Sequence, residues 1–322
     1  MGRTVLRLIS GGTVLAVAAA VVLAWGYAQF TGPGPLQVAR NVVIPAGTGL
    51  DGIAAALRGA GIVRHDYIFS IGARAFEKAR SLKAGEYHIP AKASPREVMD
   101  ILASGKTVVR RLTIPEGLTA AEVVDRLQRA EGLFGEVTVP EEGSLLPETY
   151  HFSYGDQRAD LLARMRKSMQ DALAQLWEMR APDLPLDSPE EALVLASIVE
   201  RETGIARERG LVAGVFVNRL RKGMRLQSDP TVAYGLSPAG LDRPLTRADL
   251  KQETPYNTYV IRGLPPTPIA NPGVEAIRAV MNPVKTDYLY FVADGTGGHA
   301  FARTLPEHNR NVRKWRKIRD SN

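Results

Sequence analysis

Between Arg7 and Arg40 no side chain is charged at neutral pH, and Leu8–Ala28 is a predominantly apolar run. A helix needs about 20 such residues to cross a bilayer, so the pattern predicts a transmembrane helix over 8–28. Thr31-Gly32-Pro33-Gly34-Pro35 follows with no periodicity, which predicts an extended linker over 29–40. From residue 41 a local unit recurs: a short apolar stretch ending in Ile-Pro, a turn, then a stripe at helical spacing. Val42-Val43-Ile44-Pro45 leads to Ile53, Ala54 and Leu57, Tyr87-His88-Ile89-Pro90 to Val98, Ile101 and Leu102, and Leu112-Thr113-Ile114-Pro115 to Val123, Val124 and Leu127. The spacings are too uneven for a solenoid. The pattern predicts an α+β chain, with a small α+β module over 41–110 and a larger mixed α+β domain over 111–322. In the larger domain Leu162, Met165, Met169, Leu173 and Leu176 form a core-facing helical stripe. Tyr288–Ala293 has the pattern of a buried strand, and Arg303–Arg319 that of a solvated basic helix.

Charge orients this scheme. Arg3 and Arg7 precede the apolar run and the first acid is Asp51, so positive-inside bias keeps residues 1–7 in the cytoplasm and sends the chain beyond Ala28 outward. The competing reading is a cleaved signal peptide with Gly26-Tyr27-Ala28 as its small-x-small site, although the run is long for a signal core. Either way the bulk lies outside the cytoplasm, on the periplasmic face of the inner membrane if the anchor is retained. There the formal net charge of +7 suits anionic lipid or an acidic wall polymer rather than nucleic acid. The chain has no cysteine, which excludes disulfides, thiolate metal sites and thiol nucleophiles.

Two phosphate-binding patterns fail on context. Gly47-Thr48-Gly49-Leu50-Asp51-Gly52 has dinucleotide-fold spacing, but Pro45 interrupts the approach and no acid is clearly placed about 20 residues on. Ser104-Gly105-Lys106-Thr107 resembles the end of a P-loop, yet Asp100 stands where the first glycine is required. His299 and His308 are not at a metal-binding spacing on one element. Neither a cofactor nor a metal is expected.

The segment that carries chemistry begins at Ser188, with Pro189 at the first helical position and Glu191 completing a capping box. On a wheel advancing about 100° per residue, Ile198 and Val199 fall on either side of Leu195, and Glu202 lies nearly in line with Leu195. Glu200 falls on another side. Gly204 marks a stop that leaves Glu202 at the helix end, facing a cleft. A carboxyl in an apolar setting has its pKa raised, as a general acid at a glycosidic bond requires. The structural alternative pairs Glu202 with Arg207 or Arg209.

The octet Ala196-Ser197-Ile198-Val199-Glu200-Arg201-Glu202-Thr203 resembles the signature of the endolytic murein transglycosylases, the MltG/YceG-like family. Further matches follow in order: Glu142–Tyr150, Val217–Leu220, Met224–Val232, Thr254–Tyr259, Gly263–Pro266, Tyr288–Gly295 and Gly297–His299. Glu148 departs from the Asp common at its position. The resemblance implies a single-pass wall-facing enzyme that cuts the β-1,4 bond from N-acetylmuramic acid to N-acetylglucosamine. The muramic C6 hydroxyl closes onto C1, leaving a 1,6-anhydro end, with termination of nascent strands as the implied role. Carried onto this chain, the acid/base is Glu202, whose Glu-Thr step resembles the Glu-Ser of goose-lysozyme-like transglycosylases. Residues 41–110 resemble the LysM-like modules that bind N-acetylglucosamine polymers.

Gln227, Asp229, Tyr234, Asn257 and Tyr259 are candidates for substrate contact, and Glu148 for a cleft acid that raises the pKa of Glu202. Each could equally be structural. Partners implied are peptidoglycan glycan strands, the membrane and, as candidates, cell-wall synthases. The competing function is a non-catalytic wall-binding scaffold for those synthases. That alternative leaves a glutamate in an apolar stripe unexplained.

Overall fold

A computed structural model describes residues 2–320, with side chains from Thr13 onward; Arg3 and Arg7, which carry the orientation argument, fall outside the described side chains. Helix α1 (Gly2–Thr31) contains one stretch, Thr13–Thr31, long and apolar enough to cross a membrane. Gly32 and Pro33 end it.

Strand β1 (Arg40–Ile44) is followed by helices α2 (Leu50–Gly59) and α3 (Asp66–Ala75) and by strand β2 (Gly85–Ile89). The two strands pair antiparallel, with Arg40 opposite Ile89 and Ile44 opposite Gly85. Helix α4 (Pro95–Ser104) starts in a capping box, Ser94 N donating to Glu97 at 2.8 Å, and ends at Gly105, whose φ of 69° needs no Cβ. The P-loop-like tetrapeptide is thus a helix stop. Ile53, Ala54 and Leu57 of α2 join Phe69, Tyr87 and Leu102 in one core, as their spacing predicted, and Phe30 of α1 is buried in the same core.

The segment after α1 is not a free tether. Gly34 N donates to Lys92 O, Lys92 N donates to Leu36 O at 2.7 Å, and Leu36 is buried. A Cβ on Gly34 would collide with the Ala93 carbonyl, so this glycine allows close packing. Composition alone predicted an extended linker; its apolar Leu36 overrides that by joining the core.

Strand β3 (Val109–Thr113), helix α5 (Ala120–Arg129) and strand β4 (Thr149–Ser153) come next, with β3 paired to β4. The chain divides into two units: residues 1–110 with 131–133 and 151–156, and residues 111–130, 134–150 and 157–322.

The second unit is built on helices α6 (Arg158–Glu178), α7 (Pro189–Glu202), α8 (Ala206–Arg221), α9 (Asp229–Leu236) and α10 (Val274–Met281). Leu195, Ile198 and Val199 of α7 pack with Val212, Phe216 and Val217 of α8 and with Ile277, Val280 and Met281 of α10. Truncating a buried Leu or Ile to Ala in such a core costs about 2–5 kcal/mol. A hairpin of β5 (Tyr290–Ala293) and β6 (His299–Ala302) follows, and helix α11 (Leu305–Arg319) packs on both strands. The strand is shorter than Tyr288–Ala293 and half-buried rather than buried, because its residues border a cleft.

Candidate active site

Helix α7 opens as the sequence requires, with one change. Ser188 Oγ accepts from Glu191 N at 3.2 Å and Pro189 stands at the first helical position, but the Glu191 carboxylate accepts from Asp187 N at 2.8 Å instead of closing the capping box on Ser188. The helix ends at Glu202, because Thr203 is extended at φ −145°. Leu195, Ile198 and Val199 are fully buried, so the apolar stripe delivers Glu202 from the core to the wall of a cleft of about 520 Å³.

The cleft gathers residues from distant elements. Arg219 comes from α8, Gln227 from the loop before α9 and Asp229 from its first turn, Tyr259 from a loop, Tyr290 and His299 from the hairpin, and His308 and Trp315 from α11. Ser228 Oγ donates to Glu202 Oε1 at 2.5 Å. Ser228 is itself held, its N–H donating to Thr258 Oγ1 at 2.9 Å and its carbonyl accepting from Thr231 Oγ1 at 2.7 Å. The preceding Gln227 has φ 52°, a left-handed conformation that non-glycine residues adopt at a cost and that clusters at functional sites.

Electrostatics separate the two glutamates of the signature. Burial lifts the Glu202 pKa to about 7; the Asp229 charge adds to the rise, while the Ser228 hydrogen bond, His299 and Arg219 oppose it. Near neutrality Glu202 is therefore poised between acid and base. Glu200 faces elsewhere, accepting from Gly273 N at 3.0 Å with Arg209 at 3.7 Å, and Arg209 also reaches Glu116 at 3.3 Å. Burial raises the Glu200 pKa as well. The arginine partner considered for Glu202 thus belongs to Glu200.

The other cleft side chains are fixed by their neighbours. Arg219 is buried, donating through Nε to Leu289 O and through Nη1 to Leu226 O, both at 2.6 Å, with its guanidinium 5.2 Å from the Tyr290 ring centre. Burial draws its pKa down, yet an arginine remains a cation at any physiological pH. Tyr259 OH donates to Asp229 Oδ1 at 2.6 Å, and burial raises this phenol above its usual range. His299 Nδ1 lies 2.8 Å from Glu208 Oε2, and His308 stacks on Tyr290 with ring centres 5.2 Å apart.

Of the residues singled out from sequence, Glu202, Gln227, Asp229 and Tyr259 line one cleft. Three do not. Asn257 is buried as a loop brace: its Nδ2 donates to Gln252 O at 2.6 Å and its Oδ1 accepts from Tyr259 N at 3.0 Å, so it positions Tyr259 instead of meeting a ligand. Tyr234 donates to Glu142 at 3.3 Å and lines a separate depression of about 220 Å³ with Arg201 and Arg243. Glu148 is exposed and lines no part of the Glu202 cleft, so the nearby acid acting on Glu202 is Asp229. Sequence inspection passed over Ser228, Arg219 and Trp315. The stripe Leu305, His308, Asn309 and Trp315 was the available signal for the last wall, since it lies on one side of α11.

The YceG-like family profile matches residues 42–314. A protein from Streptococcus pneumoniae serotype 2, named endolytic murein transglycosylase, is 30% identical over 320 residues, covering 84% of this chain and 57% of that protein. The chain thus spans little more than half the length of that relative. A Bacillus subtilis protein of the same name is 30% identical over 307 residues, covering 85% of this chain and 84% of its own. A crystal structure of a yceG-like protein from Listeria monocytogenes matches with a TM-score of 0.52 at 30% identity, over 85% of this chain and 99% of that one. With a family match running unbroken from β1 into α11, the chain belongs to the YceG-like family.

Proposed function

We propose that this chain is a membrane-anchored endolytic transglycosylase that cleaves peptidoglycan glycan strands without water. The observation that carries the proposal is Glu202: a single carboxyl with its pKa near 7, hydrogen-bonded by Ser228, in a cleft at the end of an apolar helix stripe. Protonated Glu202 donates to the glycosidic oxygen as the bond to muramic C1 breaks. The muramic C6 hydroxyl then bonds to C1 and returns its proton to Glu202, so the carboxyl ends as it began. Because the nucleophile is intramolecular, no second catalytic carboxylate is needed, in contrast to hydrolytic glycosidases. Burial keeps the Glu202 pKa high, with Asp229, held by Tyr259, adding to the rise, and Gln227, Arg219 and Trp315 are assigned to sugar contact. The names of the pneumococcal and Bacillus relatives support this substrate class.

The apolar run 8–28, whose described part falls within the apolar stretch Thr13–Thr31, serves as the anchor, with the folded chain on the outer face of the membrane. The β1–α2–α3–β2 arrangement supports a LysM-like glycan-binding module over 41–110, and cell-wall synthases are candidate partners. The test is mass spectrometry of glycan strands digested by the full chain. Anhydro ends on internal fragments are expected; reducing ends would make the protein a hydrolase, and no cleavage would leave only a scaffold.

A further inference from the structure

Helix α3 has an outer face poorly matched to water. Its inner side, Ile68, Phe69 and Ala73, is buried in the core of the first unit. The outer stripe is Tyr67, Ile71 and Ala75, stacked at four-residue intervals, with Phe76 following. Ile71 is 59% exposed, Tyr67 47% and Phe76 39%. Arg74, the one cation of the helix, is engaged with Asp51 at 3.1 Å.

This stripe continues an apolar surface that begins on α1. Leu23 and Tyr27 of α1 line one open apolar depression with Tyr67, Ile71 and Phe76, about 450 Å³ in volume. The two helices are fixed together. Phe30 is buried, its ring stacks on Phe76 at 5.5 Å, and Gly72 has no Cβ where one would strike the Phe30 ring. Trp25 lies 6.1 Å from His65, ring centre to ring centre. Val22 also lines the depression and precedes Phe30 by about 12 Å along the axis at 1.5 Å per residue. Leu23 and Tyr27 lie within the apolar run 8–28 and share this depression with α3, so a bilayer that covers the C-terminal turns of that run meets the α3 face as well.

We propose that the Tyr67–Ile71–Phe76 face of α3 sits in the lipid bilayer beside α1, making the attachment two-point instead of a single span. This rests on α1 being the anchor. Interfacial helices bury their apolar side about 5–10 Å into the boundary between headgroups and acyl chains. Tyr67, Trp25 and Tyr27 are residue types suited to that depth. Exposed Arg64 before α3, and Lys78 and Arg80 after it, supply cations for lipid phosphates.

Because the chain has no cysteine, single cysteines give clean spin-label positions. The full chain is reconstituted in phosphatidylethanolamine–phosphatidylglycerol vesicles with a label at Leu23→Cys, Ile71→Cys, Tyr67→Cys or Lys106→Cys, the last exposed and outside the patch. Circular dichroism checks each fold, and power saturation compares relaxation by oxygen with relaxation by a water-soluble nickel chelate. Labels at 23, 71 and 67 should favour oxygen, and the label at 106 the chelate. Chelate preference at both 67 and 71, with oxygen preference at 23, overturns the α3 contact and leaves the anchor intact. Chelate preference at 23 overturns the anchor, and with it this proposal. Two α3 positions keep the test decisive if one variant fails to fold.

Discussion

Replacing Glu202 by Gln should change how stability depends on pH as well as abolishing turnover. Burial moves the Glu202 pKa from an ordinary 4.5 to about 7, so the folded chain holds this proton more tightly than the unfolded chain. The resulting stability is fully present below the unfolded pKa of 4.5 and is lost as pH rises through about 7. At about 1.36 kcal/mol per pKa unit the contribution is about 3 kcal/mol. Gln is neutral throughout, so the variant should lack this loss. Its stability relative to wild type should rise by about 3 kcal/mol between the two pKa values. Glu142 and Glu200, also raised by burial, titrate in both proteins and cancel. Thermal unfolding of the full chain in detergent, followed through Trp177 and Trp315 in a Trp25→Phe background, supplies the two profiles. Wild-type kcat/KM should fall on the alkaline side with a midpoint near 7, and Glu202→Gln should lose about 10²–10⁴-fold at every pH. Parallel stability profiles across the alkaline loss of activity would refute the reasoning, because the group that titrates would then not be Glu202.

Glu200→Gln should keep turnover within about tenfold while lowering stability by about 1 kcal/mol, since it weakens the contact with Arg209 and spares the cleft; thermal unfolding beside kcat shows the split. Ser228→Ala removes a hydrogen bond that holds the Glu202 pKa down, so the alkaline limb of the rate profile should move to higher pH. Asn257→Ala should cost about 1–3 kcal/mol in unfolding measurements by leaving buried backbone groups unpaired. Gln227→Gly should hold or raise stability by up to about 1 kcal/mol, because glycine accepts the left-handed backbone, while KM for glycan strands rises.

Much of the site was legible in local pattern. Ser188, Pro189 and the stripe through Leu195 define where α7 begins and which side chain it delivers to its end, because capping and periodicity act within a few residues. Asn257 misled because an amide suits a sugar and a buried loop equally well, and only its burial shows that its donors are already used. Trp315 was hidden because periodicity says nothing about which distant elements meet, and for the same reason Arg219, although inside the matched stretch Val217–Leu220, gave no sign that it borders the cleft. Helix α3 is amphipathic, but its apolar residues extend past the buried side to Tyr67 and Ile71, and the pattern alone does not say which of them face the core.

The cleft wall formed by α11 bears on how the protein comes to life during synthesis. Domains fold largely in the order in which they emerge, N-terminal first. Helices α7 and α8 precede the hairpin and α11 in the chain, so Glu202 is made before the last wall of its cleft. At that stage Glu202 would stand open to solvent, without Tyr290, His299 or Trp315 beside it, and the burial that lifts its pKa would be incomplete. The surroundings in which Glu202 has its raised pKa therefore include residues made after α7, from the hairpin and α11. The order of elements along the chain thus places the last wall of the Glu202 cleft after the helix that carries the carboxyl.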